Sequence, residues 1–290
     1  MSPARGLSAR LKAYVELTKP RLSMLVIFSA MTGYYLGHQG AFSWRALCIA
    51  AFGISLVSAG SMVLNQWQER GVDAKMQRTQ KRPLPEGRVS PLEALALGLS
   101  LSLAGLWILI AAGHWAACVL SGATLLIYLL VYTPLKSVTS YCTLIGAIPG
   151  SMPTLAGWAA AEWPLSSSAW TLFAILYLWQ MPHFFAISWI WREDYVRAGF
   201  RMLSVEDAGG KRLSRQIFVY TLALLPVSLL PAVLGHTGWI YLAGTSALGL
   251  YFVFQAAGGL RDMNKAARPI FRTSILYLSF LLILMILDKR

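Results

Sequence analysis

Asn65, Glu69 and Asp73 recur at intervals of four in the string NQWQERGVD, so three side chains with oxygen donors follow one another. On a helix each step of four turns by about 40° and climbs about 6 Å, which puts all three oxygens on one face. Oxygen ligands at that spacing suit a hard divalent cation such as Mg²⁺, which keeps several waters and bridges to phosphate oxygens. Arg78, Lys81 and Arg82 follow directly. Their donors match the phosphate oxygens that a metal leaves unpaired, so a diphosphate is the expected guest. Two observations pull the other way. Gly71 falls inside the run and can end the helix early, leaving the acids to a loop, and basic residues after an apolar segment are also what membrane orientation demands.

A second stretch repeats the mixture: Trp191, Arg192, Glu193, Asp194, Tyr195 and Arg197 follow a long apolar run, with Gly199 allowing a turn. Taken alone, Glu193 and Asp194 suit a solvated helix end. Tyr132 and Lys136 stand four apart around Pro134, and both a substrate contact and a pair of membrane anchors fit them. His183 is the one histidine well inside an apolar segment, directly after Pro182. Proline leaves the carbonyl of Leu178 unpaired and can open a cavity, so His183 is either a functional group or a hydrogen-bonded packing residue. His38, His114 and His236 fall at segment ends and read as interfacial. Cys48, Cys118 and Cys142 lack metal spacing and read as small apolar packing.

The elements that must position these groups are membrane helices. With 57% hydrophobic and 13% charged residues among 290, the chain has more apolar surface than a soluble interior could bury. Nine apolar stretches are long enough to cross a bilayer, at 22–39, 45–66, 91–113, 115–134, 141–161, 168–190, 216–235, 238–259 and 269–287. They run continuously instead of alternating, which predicts an all-α integral membrane protein and excludes a β-barrel. Residues 1–290 read as one polytopic domain, with 1–21 an interfacial segment lacking the apolar core of a secretory signal.

Of the 25 Lys and Arg, 22 fall on one side of a nine-span topology, against Arg45, Lys289 and Arg290 on the other. That asymmetry predicts a cytoplasmic N-terminus and an external C-terminus. It also accounts for the net charge of +13 through orientation and anionic lipid, without nucleic acid. Both acid-bearing loops fall on the cytoplasmic side. A short N-terminal segment favours a bacterial inner membrane over a mitochondrial one.

NQWQERGVD at 65–73 followed by RTQKRPLP at 78–85 resembles the first acidic motif of the UbiA superfamily of intramembrane prenyltransferases. LTKPRLSML at 17–25, IPGSMPTLAGW at 148–158, WQMPHFFAISW at 179–189 and EDYVRAGFRML at 193–203 are similar to its heme-farnesylating branch. The resemblance implies about nine helices around a central cavity and a cytoplasmic diphosphate site. It also implies transfer of farnesyl from farnesyl diphosphate to a vinyl group of heme B, with water addition. By position it assigns Asn65, Glu69 and Asp73 to the Mg²⁺-diphosphate motif, Arg78 and Arg82 to the phosphates, Asp194 to a second acidic region on the same Mg²⁺, and Tyr132 and Lys136 to a YxxxK element, with Lys81 of the basic stretch beside the diphosphate. His183 would lie near the heme iron or a propionate, and a heme A synthase or terminal oxidase would receive the product. Two positions depart from the pattern: Glu69 stands where the family has Asp, and Arg201 stands where it has Pro. Prenylation of a quinone or chlorophyll precursor is the competing reading within the superfamily. A transporter is the competitor outside it, and would place its ionisable groups near the bilayer midplane.

Overall fold

The computed structural model describes residues 6–290, and helix is their only regular structure apart from one bridge between Thr237 and Lys289. The interfacial segment expected at 1–21 is therefore described from residue 6, with Arg5 outside the described residues. It forms α1 (Leu7–Leu17), followed by α2 (Pro20–Gly37), α3 (Trp44–Asp73) and α4 (Pro91–Ala111). Next come α5 (Trp115–Leu126), a π-helical turn Ile127–Tyr132, and the short α6 (Thr133–Leu135) that completes the same span. α7 (Cys142–Ala161) and α8 (Ser167–Ile190) are followed by two short helices, α9 (Arg192–Ala198) and α10 (Leu203–Glu206). The last three are α11 (Lys211–Val233), α12 (Trp239–Arg261) and α13 (Met263–Leu287).

Each of the nine expected spans falls on a long helix. Among the described residues seven helices, counting Trp115–Leu135 as one, are individually long and apolar enough to cross a membrane. The other two are α2 and α7. In α7 every residue from Ser151 to Ala160 is buried, so its Ser, Thr, Gly and Pro side chains meet protein and not lipid. A span enclosed in this way needs close packing more than apolarity. Gly157 of α7 lies against the Ala30 carbonyl of α2, and Gly60 of α3 against Ser102 and the Gly98 carbonyl of α4. A β-carbon at either glycine would collide with backbone, so these two contacts set how closely the helix pairs approach.

Three helices run further than hydropathy suggested. α3 continues from the expected end at 66 to Asp73, while α11 starts at Lys211 and α13 at Met263, ahead of the expected 216 and 269. Backbone hydrogen bonding carries on past the bilayer edge, where polar side chains no longer count against the helix.

Segments of α2, α3, α5 with its π-helical turn, α7, α8 and α13 surround a central cavity of about 280 Å³. One end of the bundle gathers α1, the end of α3, the loop after it, Lys136, α9 and α10, tied by the Arg88–Glu16 pair and by the Arg201 N–H donating to the Lys136 carbonyl at 2.8 Å. The opposite end holds His38, Glu162, His236 and residues 288–290. α1 and the last residues thus lie at opposite ends, as an odd number of crossings requires.

Candidate active site

Because α3 runs unbroken through Gly71, whose α-carbon faces open space, Asn65, Glu69 and Asp73 do share one face, and all three are buried. Asn65 and Glu69 are met from α6 and its C-cap, and Asp73 from the loop after α3. Asn65 Nδ2 donates to Thr133 Oγ1 at 3.0 Å, Lys136 Nζ donates to Glu69 Oε1 at 2.8 Å, and Arg82 Nη1 donates to Asp73 Oδ2 at 2.7 Å. The loop after α3 returns Arg82 to Asp73 because the Thr79 hydroxyl caps the Asp73 carbonyl at 2.8 Å. Asp73 Oδ1 is buried with no hydrogen-bond partner. A buried carboxylate oxygen is costly to leave unpaired, so this atom has the capacity to accept a donor or a cation.

Burial alone would lower the Lys136 pKa, but the charge of Glu69 and the hydrogen bond to it outweigh that, and the ammonium is held above its ordinary value. Its Nζ also lies 4.6 Å from the Tyr132 ring centroid. Tyr128 and Tyr132, four residues apart on the π-helical turn, both border the cavity with ring centroids 5.4 Å apart. An i→i+5 turn shifts the facing register by one residue before the helix resumes. Gly146 leaves room for the Tyr132 ring, which a β-carbon there would strike.

The three basic residues of the loop separate. Arg82 reaches α3. Arg78 is exposed, with its guanidinium 5.7 Å from the Trp191 ring and 5.8 Å from the Tyr195 ring. Lys81 is exposed, and its carbonyl accepts from Arg88.

Asp194 meets the loop that follows α3. One of its oxygens accepts from the backbone N–H of Gln77 at 3.0 Å and the other from that of Arg78 at 3.1 Å, and Arg197 adds an ion pair. Burial raises its pKa, but those hydrogen bonds prevail and hold the carboxyl below its ordinary range. Asp194, expected to share one metal with Asn65, Glu69 and Asp73, joins the two loops through these bonds. Among the described residues, no three Asp, Glu, His or Cys side chains form a metal cage. The physical reason is the break in helix at Trp191, which turns α9 and its acid toward the first loop.

His183 is both packed and cavity-lining. Its Nδ1 is 2.7 Å from Ser274 Oγ, its ring stacks on Trp179 with centroids 4.8 Å apart, and it borders the central cavity. Arg201 uses its backbone N–H to hold the Lys136 carbonyl, a bond that proline at this position would lack.

Lys19 is a cavity residue that motif reading passed over. It is the only non-glycine residue with positive φ among the described residues, at 49°, and it lines the cavity beside Tyr128 and Tyr132. Its pKa is lowered to about 7, first by burial and then by Arg82 and Lys136, with Asp73 and Glu69 opposing. A signal was present: a residue before proline avoids the helical region, so the Lys19-Pro20 pair marks a corner just ahead of a span. Gln66 holds that corner by donating to the Leu17 carbonyl at 2.6 Å.

The model of the UbiA prenyltransferase family matches residues 26–282. The chain belongs to the UbiA prenyltransferase family. A protoheme IX farnesyltransferase of Solibacter usitatus is 43% identical, the match covering 96% of this chain and 99% of that protein. Another, from Opitutus terrae, is 38% identical over 100% of this chain and 98% of its own. Among solved structures, a digeranylgeranylglyceryl phosphate synthase superposes with a TM-score of 0.80 at 18% identity, covering 96% of this chain and 98% of that one. A UbiA homologue from Archaeoglobus fulgidus bound to GPP and Mg²⁺ gives 0.67 at 14% identity, covering 94% and 99%. At such identities these structures establish the UbiA fold, which accounts for a helix-ringed cavity with the acids of α3 at one end.

Proposed function

We propose that this UbiA chain transfers the farnesyl group of farnesyl diphosphate to a vinyl side chain of protoheme IX, heme B, and adds water to give heme O. The observation that carries this reading is the 43% identity over nearly the full length of a relative named for that transfer. The site supports it in three ways. Asn65, Glu69 and Asp73 present oxygens on one buried face, and the unpaired Asp73 Oδ1 fits a chain built to hold a divalent cation there. When bound, Mg²⁺ supplies charge that stabilises the departing diphosphate. Lys136 and Arg82, held by Glu69 and Asp73, stand where they can turn part of their donor capacity to phosphate oxygens, and Arg78 extends the basic rim. Glu69, one methylene longer than the family's Asp, spends that length on Lys136.

As the allylic C–O bond breaks, the electron pair leaves with the diphosphate and positive charge develops on farnesyl. The ring faces of Tyr128 and Tyr132 flank the cavity and favour that charge. The vinyl carbon forms the new C–C bond, and the cation left beside the porphyrin takes up water and releases a proton. Leu25, Val26, Ile54, Val57 and Leu125 wall the cavity and keep bulk water from quenching farnesyl first. His183, fixed by Ser274 and Trp179, is positioned toward the heme. In this reading Asp194 positions the loops and Lys81 contributes to the basic field.

The protein is a multi-pass membrane protein. The bacterial relatives support an inner membrane, and the Lys and Arg distribution supports an acid end and N-terminus in the cytoplasm. A heme A synthase or terminal oxidase would consume the product. The test is incubation of purified protein with heme B, farnesyl diphosphate and Mg²⁺, followed by mass analysis of extracted hemes. A farnesylated, hydrated heme that disappears in Asp73→Ala is expected. Folded protein that leaves heme unchanged while prenylating a quinone precursor would overturn the reading.

A further inference from the structure

At the end of the bundle opposite the acids lies a second, smaller cavity, of about 50 Å³, which is room for roughly three or four waters or one small acid group. It is bordered by Trp158, Ser168, His236, Thr237, Lys289 and Arg290, with apolar walls from Leu36, Leu172 and Met285. Its polar residues offer donors and cations, and no Asp or Glu borders it. Trp158 Nε1 and Thr237 Oγ1 are both buried without a hydrogen-bond partner.

Lys289 is held here by design of the chain ends. The Thr237–Lys289 bridge and the Arg290 N–H donating to the His236 carbonyl at 3.0 Å pin the segment. Lys289 Nζ then donates to the carbonyls of Tyr35 at 2.6 Å and His38 at 3.2 Å, leaving one of its three N–H groups. No carboxylate pairs with it among the described residues. Burial lowers its pKa, a cost that a nearby anion would offset.

The small cavity and the central one draw residues from the same helices. Ala156, Leu176 and Leu278 line the central cavity, and Trp158, Leu172 and Met285 line the small one, on the same three helices. At about 1.5 Å per residue the separation is roughly 3 to 10 Å.

We infer that this end cavity is an oxyanion site, taking a carboxylate or phosphate group carried on an apolar body lodged between α2, α7, α8 and α13. Unpaired donors, an uncompensated ammonium and apolar walls select such a guest. Two sources share the chemistry. One is the acceptor itself, which rests on the function proposed above: a tetrapyrrole whose vinyl edge faces the diphosphate site turns its carboxylate edge this way. The other is the headgroup phosphate of an anionic lipid.

The test uses the full chain in detergent, with Trp158→Phe, Thr237→Val and Lys289→Gln, and Lys289→Arg as the conservative rescue. Thermal unfolding identifies any variant that fails to fold, and Trp158→Phe keeps a ring against Gly37 while removing the N–H. Heme B and its dimethyl ester are titrated by heme absorbance, which needs no turnover, and retention of added phosphatidylglycerol is measured by mass spectrometry. If the acceptor is the source, heme B binds about tenfold more weakly to Lys289→Gln and Trp158→Phe, while the ester binds all variants alike. If lipid is the source, heme binding is unchanged and phosphatidylglycerol is lost from the same variants. Folded variants that match wild type in both measurements overturn the site. Wild type that binds no heme would instead count against the proposed function, and the lipid measurement then decides the site by itself.

Discussion

Two loops at the same end of the bundle start from similar composition, with acids and bases interleaved after an apolar helix, and end with different tasks. After α3 the helix does not stop. Glu69 and Asp73 stay on its inner face and are met by Lys136 and Arg82. After α8 the helix breaks at Trp191, restarts as α9 and ends at Gly199 with φ 75°. Asp194 is turned to the backbone of Gln77 and Arg78. The same residue types therefore build a buried, charge-paired face where the helix continues and a clamp where it breaks. One carboxylate keeps an unpaired oxygen, and the other has both of its oxygens accepting hydrogen bonds.

The comparison is sharpest at its two aspartates. Asp73→Asn removes charge from this face and should lower farnesyl transfer about a hundredfold or more, with a fall in thermal stability from the lost Arg82 pair. Asp194→Asn weakens the clamp and should lower stability by about 2 kcal/mol, with the Mg²⁺ dependence of activity unaltered. If Asp194→Asn instead shifted the Mg²⁺ concentration needed for activity, Asp194 would be a metal ligand and the contrast between the loops would break. Its depressed pKa adds a pH signature. The clamp's contribution is present above the ordinary aspartate range and is lost as pH falls through the lower folded-state value, so wild type should show acid lability that Asp194→Asn lacks.

Lys19 extends the first loop's side of the comparison. With a folded-state pKa of about 7 among Arg82, Lys136, Asp73 and Glu69, it carries charge below neutral pH and loses it above. KM for farnesyl diphosphate should therefore rise as pH passes about 7, and Lys19→Arg should flatten the rise. Lys19→Ala should raise KM about tenfold at pH 6. The smallest effect belongs to Arg201→Pro, which removes the N–H that holds the Lys136 carbonyl. About 1 kcal/mol of stability should be lost, with transfer falling less than in Asp73→Asn.

Much of this protein is legible in one dimension. Hydropathy located all nine long helices, including α2 and α7, which do not pass as spans by length and apolarity alone. Apolar length is a local property, and lipid rewards it segment by segment. The spacing of Asn65, Glu69 and Asp73 was equally readable, but whether Gly71 ended the helix was not. That outcome depends on Lys136 and Arg82 arriving from distant positions to compensate two buried acids.

Asp194 shows the converse. Its motif was visible, yet its partners are backbone N–H groups more than a hundred residues away, and no spacing rule connects them. Lys19 was hidden because its importance lies in a backbone corner and in the charges that surround it. The end cavity was hidden for a related reason: Trp158, Thr237 and Lys289 belong to different helices and loops, and nothing local marks their donors as unpaired. Composition and periodicity therefore determined the bundle and the shared face of Asn65, Glu69 and Asp73, since both follow from the solvent and from helix geometry. Tertiary structure alone decided which acids pair with Lys136 and Arg82, which one clamps a loop, and where donors are left without acceptors, since those outcomes depend on which distant groups close on each atom.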